Sequence, residues 1–140
     1  MDVQTYDKLL PEPTPDTQPY WDGLKAGKLM LQACARCDRV RHYPRPVCPY
    51  CYSMETRWRE ASGRGTVQSW TVTHHAFHPG WKGELPITLV TVDLAEGVRM
   101  QAQLRGPIPA AGLKFGLPVR MTFDPVTKDV TLPVFVLDSH

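Results

Sequence analysis

"CARCDRVRHYPRPVCPYC", residues 34–51, holds all four cysteines of the chain in two C-x-x-C pairs, Cys34/Cys37 and Cys48/Cys51, with ten residues between the pairs. Each pair can place two thiolates on one ion, because the short turn between them points backbone amides at the sulfurs and offsets their charge. Four thiolates complete a tetrahedral site with no open position, so a metal held there cannot activate water. Zinc is the first choice of ion, and iron in a rubredoxin-type site would use the same ligands. A redox disulfide is the remaining use of such a pair. The connection between the pairs is short, which demands a compact hairpin. Asp38 follows the second cysteine, where such turns often require positive φ, a conformation Asp tolerates better than most residues.

The rest of the composition bounds the setting. A length of 140 residues suits one compact domain with room for a real core, so the clip is not a substitute for one. Fourteen prolines argue against long helices and for strands and turns. The first thirty residues carry no signal-like apolar run, and no segment approaches the roughly 20 apolar residues that span a bilayer; the expected location is cytoplasmic, without membrane association. In that reducing setting, clustered cysteines favour metal over disulfides. The formal charge of +2 counts the thiols as neutral, and four thiolates with one divalent ion bring it to zero. Net charge therefore gives no reason to invoke nucleic acid.

Working outward, residues 1–16 contain Pro11, Pro13 and Pro15 and read as an extended arm able to strap a partner. Thr17 or Asp16 caps a short helix with Pro19 in its first turn, Tyr20, Trp21 and Leu24 on one side, and Gly27 at its end. "LMLQA", 29–33, is a strand leading into the clip, and residues 17–60 form one unit with it.

Residues 61–140 change to a period of two. In "VRMQAQL", 98–104, Val98, Met100, Ala102 and Leu104 face one way and Arg99, Gln101 and Gln103 the other. "ITLVTVDL", 87–94, joins it through "AEG" as a hairpin. "TVQSWTVTHHAF", 66–77, is a longer strand. "PVRMTF" places Val119, Met121 and Phe123 on one face, and the last strand places Val130, Leu132, Val134 and Val136 on one face. Pro133 cannot donate to a ladder, so this last strand should be an edge or irregular there. Five strands in about 75 residues suit a partly open antiparallel barrel of the OB type; a sandwich or an SH3-like barrel has the same periodicity.

Arg36, Arg39, Arg41, His42 and Arg45 surround the thiolates. They screen the metal's negative charge, or they meet a phosphate of nucleic acid or of a cofactor such as coenzyme A. With every thiol committed to metal, no cysteine nucleophile remains. His74, His75 and His78 are the obvious acid/base candidates of the barrel, and on a strand the first two would face opposite ways. The loop Phe77–Pro86, with Phe77, His78, Trp81 and Lys82, reads as an exposed lip for a ligand or partner.

The succession "YWDGLKAGKLMLQACARC", "PRPVCPYC", "GRGTVQSWTV", "FHP", "LP" at 85–86, "EGVRM" and "LPVF" resembles the DUF35 family over about residues 17–137. The resemblance implies a mainly β chain: a short N-terminal helix and a rubredoxin-like zinc ribbon followed by a five-stranded OB-fold barrel. It makes Cys34, Cys37, Cys48 and Cys51 ligands of one structural Zn2+ and assigns no catalytic residue. Asp38 replaces the glycine usual at that position. It further implies a noncatalytic partner of a thiolase-fold subunit in an acyl-CoA thiolase, an acyltransferase or an aldolase that shortens steroid side chains. Two copies of each chain are expected, with a coenzyme A thioester at or near the interface. The competing expectation is a zinc-ribbon/OB protein that binds single-stranded nucleic acid, although "VRMQAQL" offers no aromatic and basic stacking face.

Overall fold

The computed structural model describes residues 6–138. Helix α1 (Gln18–Lys25) opens at Thr17, whose side chain makes no capping bond to the helix; its Oγ1 instead accepts from the Thr14 amide at 2.9 Å. Tyr20, Gly23 and Leu24 are buried on one side of the helix, and Gly27 beyond its end takes φ +78°. A Cβ on Gly23 would lie 2.5 Å from Met30 Cγ, so the glycine lets the helix lie close on the strand that follows.

Strands β1 (Leu29–Cys34), β2 (Val40–Arg41) and β3 (Thr56–Ala61) form an antiparallel sheet in the order β2-β1-β3. β3 is absent from the sequence reading. Its residues, "TRWREA", are mostly exposed, and it is fixed by a six-residue ladder to β1 rather than by a buried face.

Strands β4 (Arg64–Thr73), β5 (Ile87–Leu94), β6 (Arg99–Leu104), β7 (Pro118–Pro125) and β8 (Thr131–Leu137) close into a barrel in the order β4-β5-β6-β8-β7. The barrel is closed, not partly open, and one seam is parallel: β6 meets β8 at Gln103 with Val134 and Leu104 with Phe135. The sequence of strands, OB-like closure and preceding ribbon give a mainly β fold with one short helix.

β8 departs from its expected form in two ways. It lies between β6 and β7 instead of at an edge. Pairing to β6 begins only at Val134, so Pro133 stands where that ladder has not yet started. Its inward set is also different. Phe135 is fully buried in the core with Leu137 packed against the same cluster, while Leu132, Pro133 and Val134 line an outer cavity. Both faces of this strand are covered, so alternation alone did not identify the inner one.

The other alternations hold. Met100 and Leu104 on β6 and Val119 and Met121 on β7 are buried, and the β5–β6 turn is closed by Gly97 at φ +93°. β4 starts two residues earlier than expected and stops at Thr73, the last residue paired to β5. His74–Phe77 lie beyond the strand, so strand alternation does not govern His74 and His75. At the start of β4, a Cβ on Gly65 would lie 2.5 Å from the Asp93 carbonyl oxygen, making glycine a condition of the β4–β5 approach. Tyr20, Leu24, Leu29 and Leu31 join Val67, Val90, Val92 and Phe135 in one core, which ties the helix and ribbon to the barrel. None of the helices among the described residues is long and apolar enough to cross a membrane.

Candidate functional site

The two cysteine pairs arrive on matching turns. In the first, the amides of Arg36 and Cys37 point at Cys34 Sγ at 3.4 and 3.3 Å, Asp38 N–H donates to the Cys34 carbonyl at 3.0 Å, and Asp38 takes φ +68°. In the second, Tyr50 N–H points at Cys48 Sγ at 3.4 Å, Tyr52 N–H donates to the Cys48 carbonyl at 2.9 Å, and Tyr52 takes φ +65°. The left-handed Asp38 expected from the sequence is therefore present, with a bulky Tyr52 in the same role. Asp38 also pairs with Arg57 of β3.

All four sulfurs lie within 4.8 Å of one another, with Cys34 to Cys51 at 3.5 Å and Cys37 to Cys48 at 3.7 Å. These separations are far beyond a disulfide bond of about 2.05 Å. Two sulfurs each about 2.3 Å from one ion at tetrahedral angles stand about 3.8 Å apart, so the donor set fits a single tetrahedral ion. The Cys37 amide, seconded by that of Arg36, holds the Cys34 thiol down to about 6, whereas, against the Ser53 amide, burial and the neighbouring sulfurs push the Cys51 thiol up to about 11, so the metal-free cluster does not ionise all its thiols alike and a bound cation completes the thiolate set. Cys34 and Cys48 are fully buried, and the cluster fits a structural zinc.

The arginines around this cluster separate into two groups. Arg36 and Arg39 are exposed on the first turn, and the Arg39 guanidinium stacks 4.3 Å over the Tyr50 ring. Arg41 is buried at 5% exposure. Its Nε donates to Gln32 Oε1 at 2.6 Å and its Nη2 to the Arg45 carbonyl at 3.2 Å. Gln32, the cross-strand neighbour of Arg41, also accepts the Arg45 amide at 2.8 Å. Arg41 and Arg45 border a cleft of about 630 Å3 between the ribbon and the β5–β6 hairpin, together with Asp93 and Arg99. His42 lines the same cleft, and burial pushes it down to about 4, so it is neutral at pH 7.

A second cavity, of about 710 Å3, lies on the outer wall of the barrel and is lined mainly by apolar side chains. Phe77, His78 and Trp81 all border it, together with Leu89 and the outer side of β8. Phe77 is 87% exposed and meets His75 edge to face at 4.6 Å. His78 Nδ1 accepts the Gly80 amide at 3.0 Å and caps a 3₁₀ turn, Pro79–Glu84, a local structural use of that ring. His74 is exposed and does not line this cavity.

The arm expected over residues 1–16 is described from Tyr6 onward; residues 1–5 lie outside the described residues. Its visible start rests on the chain's own lip. Lys8 pairs with Asp7 and Glu84 and sits 4.8 Å over the Trp81 ring, and Leu9 borders the apolar cavity.

The family model of the ChsH2 rubredoxin-like zinc ribbon domain matches residues 21–56, and that of the ChsH2 C-terminal OB-fold domain matches residues 58–124. In Thermomonospora curvata, a "Probable enoyl-CoA hydratase alpha subunit" is 37% identical over 116 residues, covering 83% of this chain and 35% of the relative. In Mycobacterium tuberculosis, a 3-oxo-4,17-pregnadiene-20-carboxyl-CoA hydratase alpha subunit is 40% identical over 115 residues, covering 82% and 36%. The chain thus spans about a third of the length of these two relatives. A DUF35 domain-containing scaffold protein of Pyrococcus furiosus is 35% identical over 102 residues, covering 73% of this chain and 74% of its own. Among solved structures, a chain of the Ltp2-ChsH2(DUF35) aldolase superposes with a TM-score of 0.81 at 35% identity, covering 91% of this chain and 98% of that one. With ribbon and barrel both matched, in this order and at this identity, the chain belongs to the DUF35 family.

Proposed function

We propose that this chain is a noncatalytic zinc-ribbon and OB-fold subunit that supports a thiolase-fold partner acting on an acyl-CoA, as an aldolase or thiolase. The observation that carries the reading is the match over 98% of a chain in the Ltp2-ChsH2(DUF35) aldolase at 35% identity. The chemistry of the chain agrees with it. Its four thiols are drawn to one closed cluster, and His78, bonded to the Gly80 amide, is engaged in shaping a turn. A pregnadiene carboxyl-CoA in the name of one relative favours a bulky, apolar acyl group for the partner's substrate.

In this reading Cys34, Cys37, Cys48 and Cys51 hold a structural zinc that locks the two turns to β1 and β3. Residues 17–60 carry the ribbon and 61–140 the barrel, with 1–16 as an arm. The lip at Phe77, His78 and Trp81 meets the partner, since an 87% exposed phenyl beside an apolar cavity is suited to burial in an interface. Two copies of each chain assemble in the cytoplasm, with the coenzyme A thioester near the contact. The test is turnover. The purified chain is expected to be inert toward acyl-CoA substrates and its thiolase-fold partner to be active only with it. Turnover by this chain alone that vanishes in His78→Ala would overturn the reading.

A further inference from the structure

Arg41 is a buried cation without a countercharge. Its Nη1 has no hydrogen-bond partner among the described residues, and the two contacts of its other nitrogens are to a neutral amide and a carbonyl. A guanidinium taken out of water in this way is costly unless an anion meets it. The cleft it borders adds Arg45, whose side chain is exposed, and Arg99. The one carboxylate there, Asp93, is held by Arg99 at 2.6 Å. Within the lining of the cleft, three guanidinium groups thus face one carboxylate, a local excess of two positive charges. His42 does not add a third, since its ring is neutral near pH 7.

We propose that this cleft between ribbon and barrel, floored by Arg41 and rimmed by Arg45 and Arg99, is a binding site for a phosphomonoester dianion. Two surplus charges match a phosphate monoester, whereas a carboxylate would leave one unpaired. Gln32 prepares the site by accepting from both the Arg41 side chain and the Arg45 backbone, which fixes the floor before any ligand arrives. The cleft is open enough, at about 630 Å3, for a phosphate carried on a larger molecule. The site consists of this chain's own residues and stands whether or not the partner reading holds.

The test is a heteronuclear NMR titration of the zinc-loaded full chain with inorganic phosphate and, separately, with adenosine monophosphate. Saturable shifts at the amides of His42, Gly97 and Val98 are expected with at least one probe. Tighter binding of the nucleotide identifies an esterified ligand, and equal binding identifies free phosphate; both support the site. Arg45→Ala combined with Arg99→Ala should weaken binding about tenfold or more, since one lost charge-assisted hydrogen bond is worth about a factor of ten. Asp93→Asn should tighten it, a response that a purely structural arginine would not give. Arg36→Ala, on the exposed turn and outside the cleft lining, should change it less than about twofold. No saturable shift with either probe, or binding unchanged in the Arg45/Arg99 variant, would overturn the proposal and leave these cations as screens for the metal.

Discussion

Replacing Gln32 with leucine removes one acceptor and strands two donors. Gln32 is 2% exposed, and its Oε1 takes the Arg41 Nε at 2.6 Å and the Arg45 amide at 2.8 Å. Leucine fills much the same volume but accepts neither. The loss of a hydrogen bond to a buried cation costs about 1.5–3 kcal/mol, and the Arg45 amide, only part-buried, adds at most the low end of the roughly 1–3 kcal/mol of an unpaired amide, so the variant should lose about 3 kcal/mol. For a chain of this size that is a fall of about 10 °C in Tm. The same arithmetic predicts the rescue. Adding Arg41→Met to Gln32→Leu removes the stranded charge, and the double variant should recover about half of the loss. Urea denaturation of the zinc-loaded protein at constant pH, without phosphate, measures all three variants against the parent. A Gln32→Leu cost below about 1 kcal/mol, or a double variant no better than the single, would refute the description of Arg41 as a buried charge dependent on Gln32.

The remaining expectations concern core, metal and pH. Phe135→Ala, at the fully buried centre of the barrel, should cost about 3–5 kcal/mol in the same assay, whereas Phe77→Ala, on the exposed lip, should fall within about 0.5 kcal/mol. Elemental analysis should find about one zinc per chain, and Cys48→Ser should reduce zinc content and leave the ribbon open to proteolysis before the barrel. His42 supplies a pH dependence. Its folded-state value near 4 lies below the unfolded value near 6.5, so its contribution is full above pH 6.5 and is lost as pH falls towards 4, by about 3 kcal/mol. His42→Phe should flatten that part of the stability profile, measured as the difference in slope between the two proteins; parallel profiles would refute the assignment.

Much of this architecture is legible in residue order. The alternation of Val98, Met100, Ala102 and Leu104 identifies β6 because that strand buries one face only, and the spacing of the cysteine pairs brings four sulfurs together because each turn is short. What escaped the sequence was fixed by neighbours distant in the chain. β3 has little apolar signal, since its place is set by backbone pairing to β1. The inner face of β8 was misread because Val134 on the outer side is also buried, under a cavity wall that only the closed barrel creates. His74 and His75 fall outside β4 because pairing to β5 stops at Thr73. Arg41 reads in sequence as one of five basic residues around the thiolates. Its burial follows from Gln32, whose amide interrupts an otherwise apolar β1 and is the one signal that a polar partner waits across the sheet.

Co-expression of this chain with a thiolase-fold protein of the same organism, followed by size-exclusion chromatography with light scattering, tests the proposed role most directly. A single zinc-containing species with the mass of two copies of each chain is the predicted result, and Phe77→Ala should shift it towards free subunits. Elution of the two proteins as separate species at micromolar concentration would contradict it.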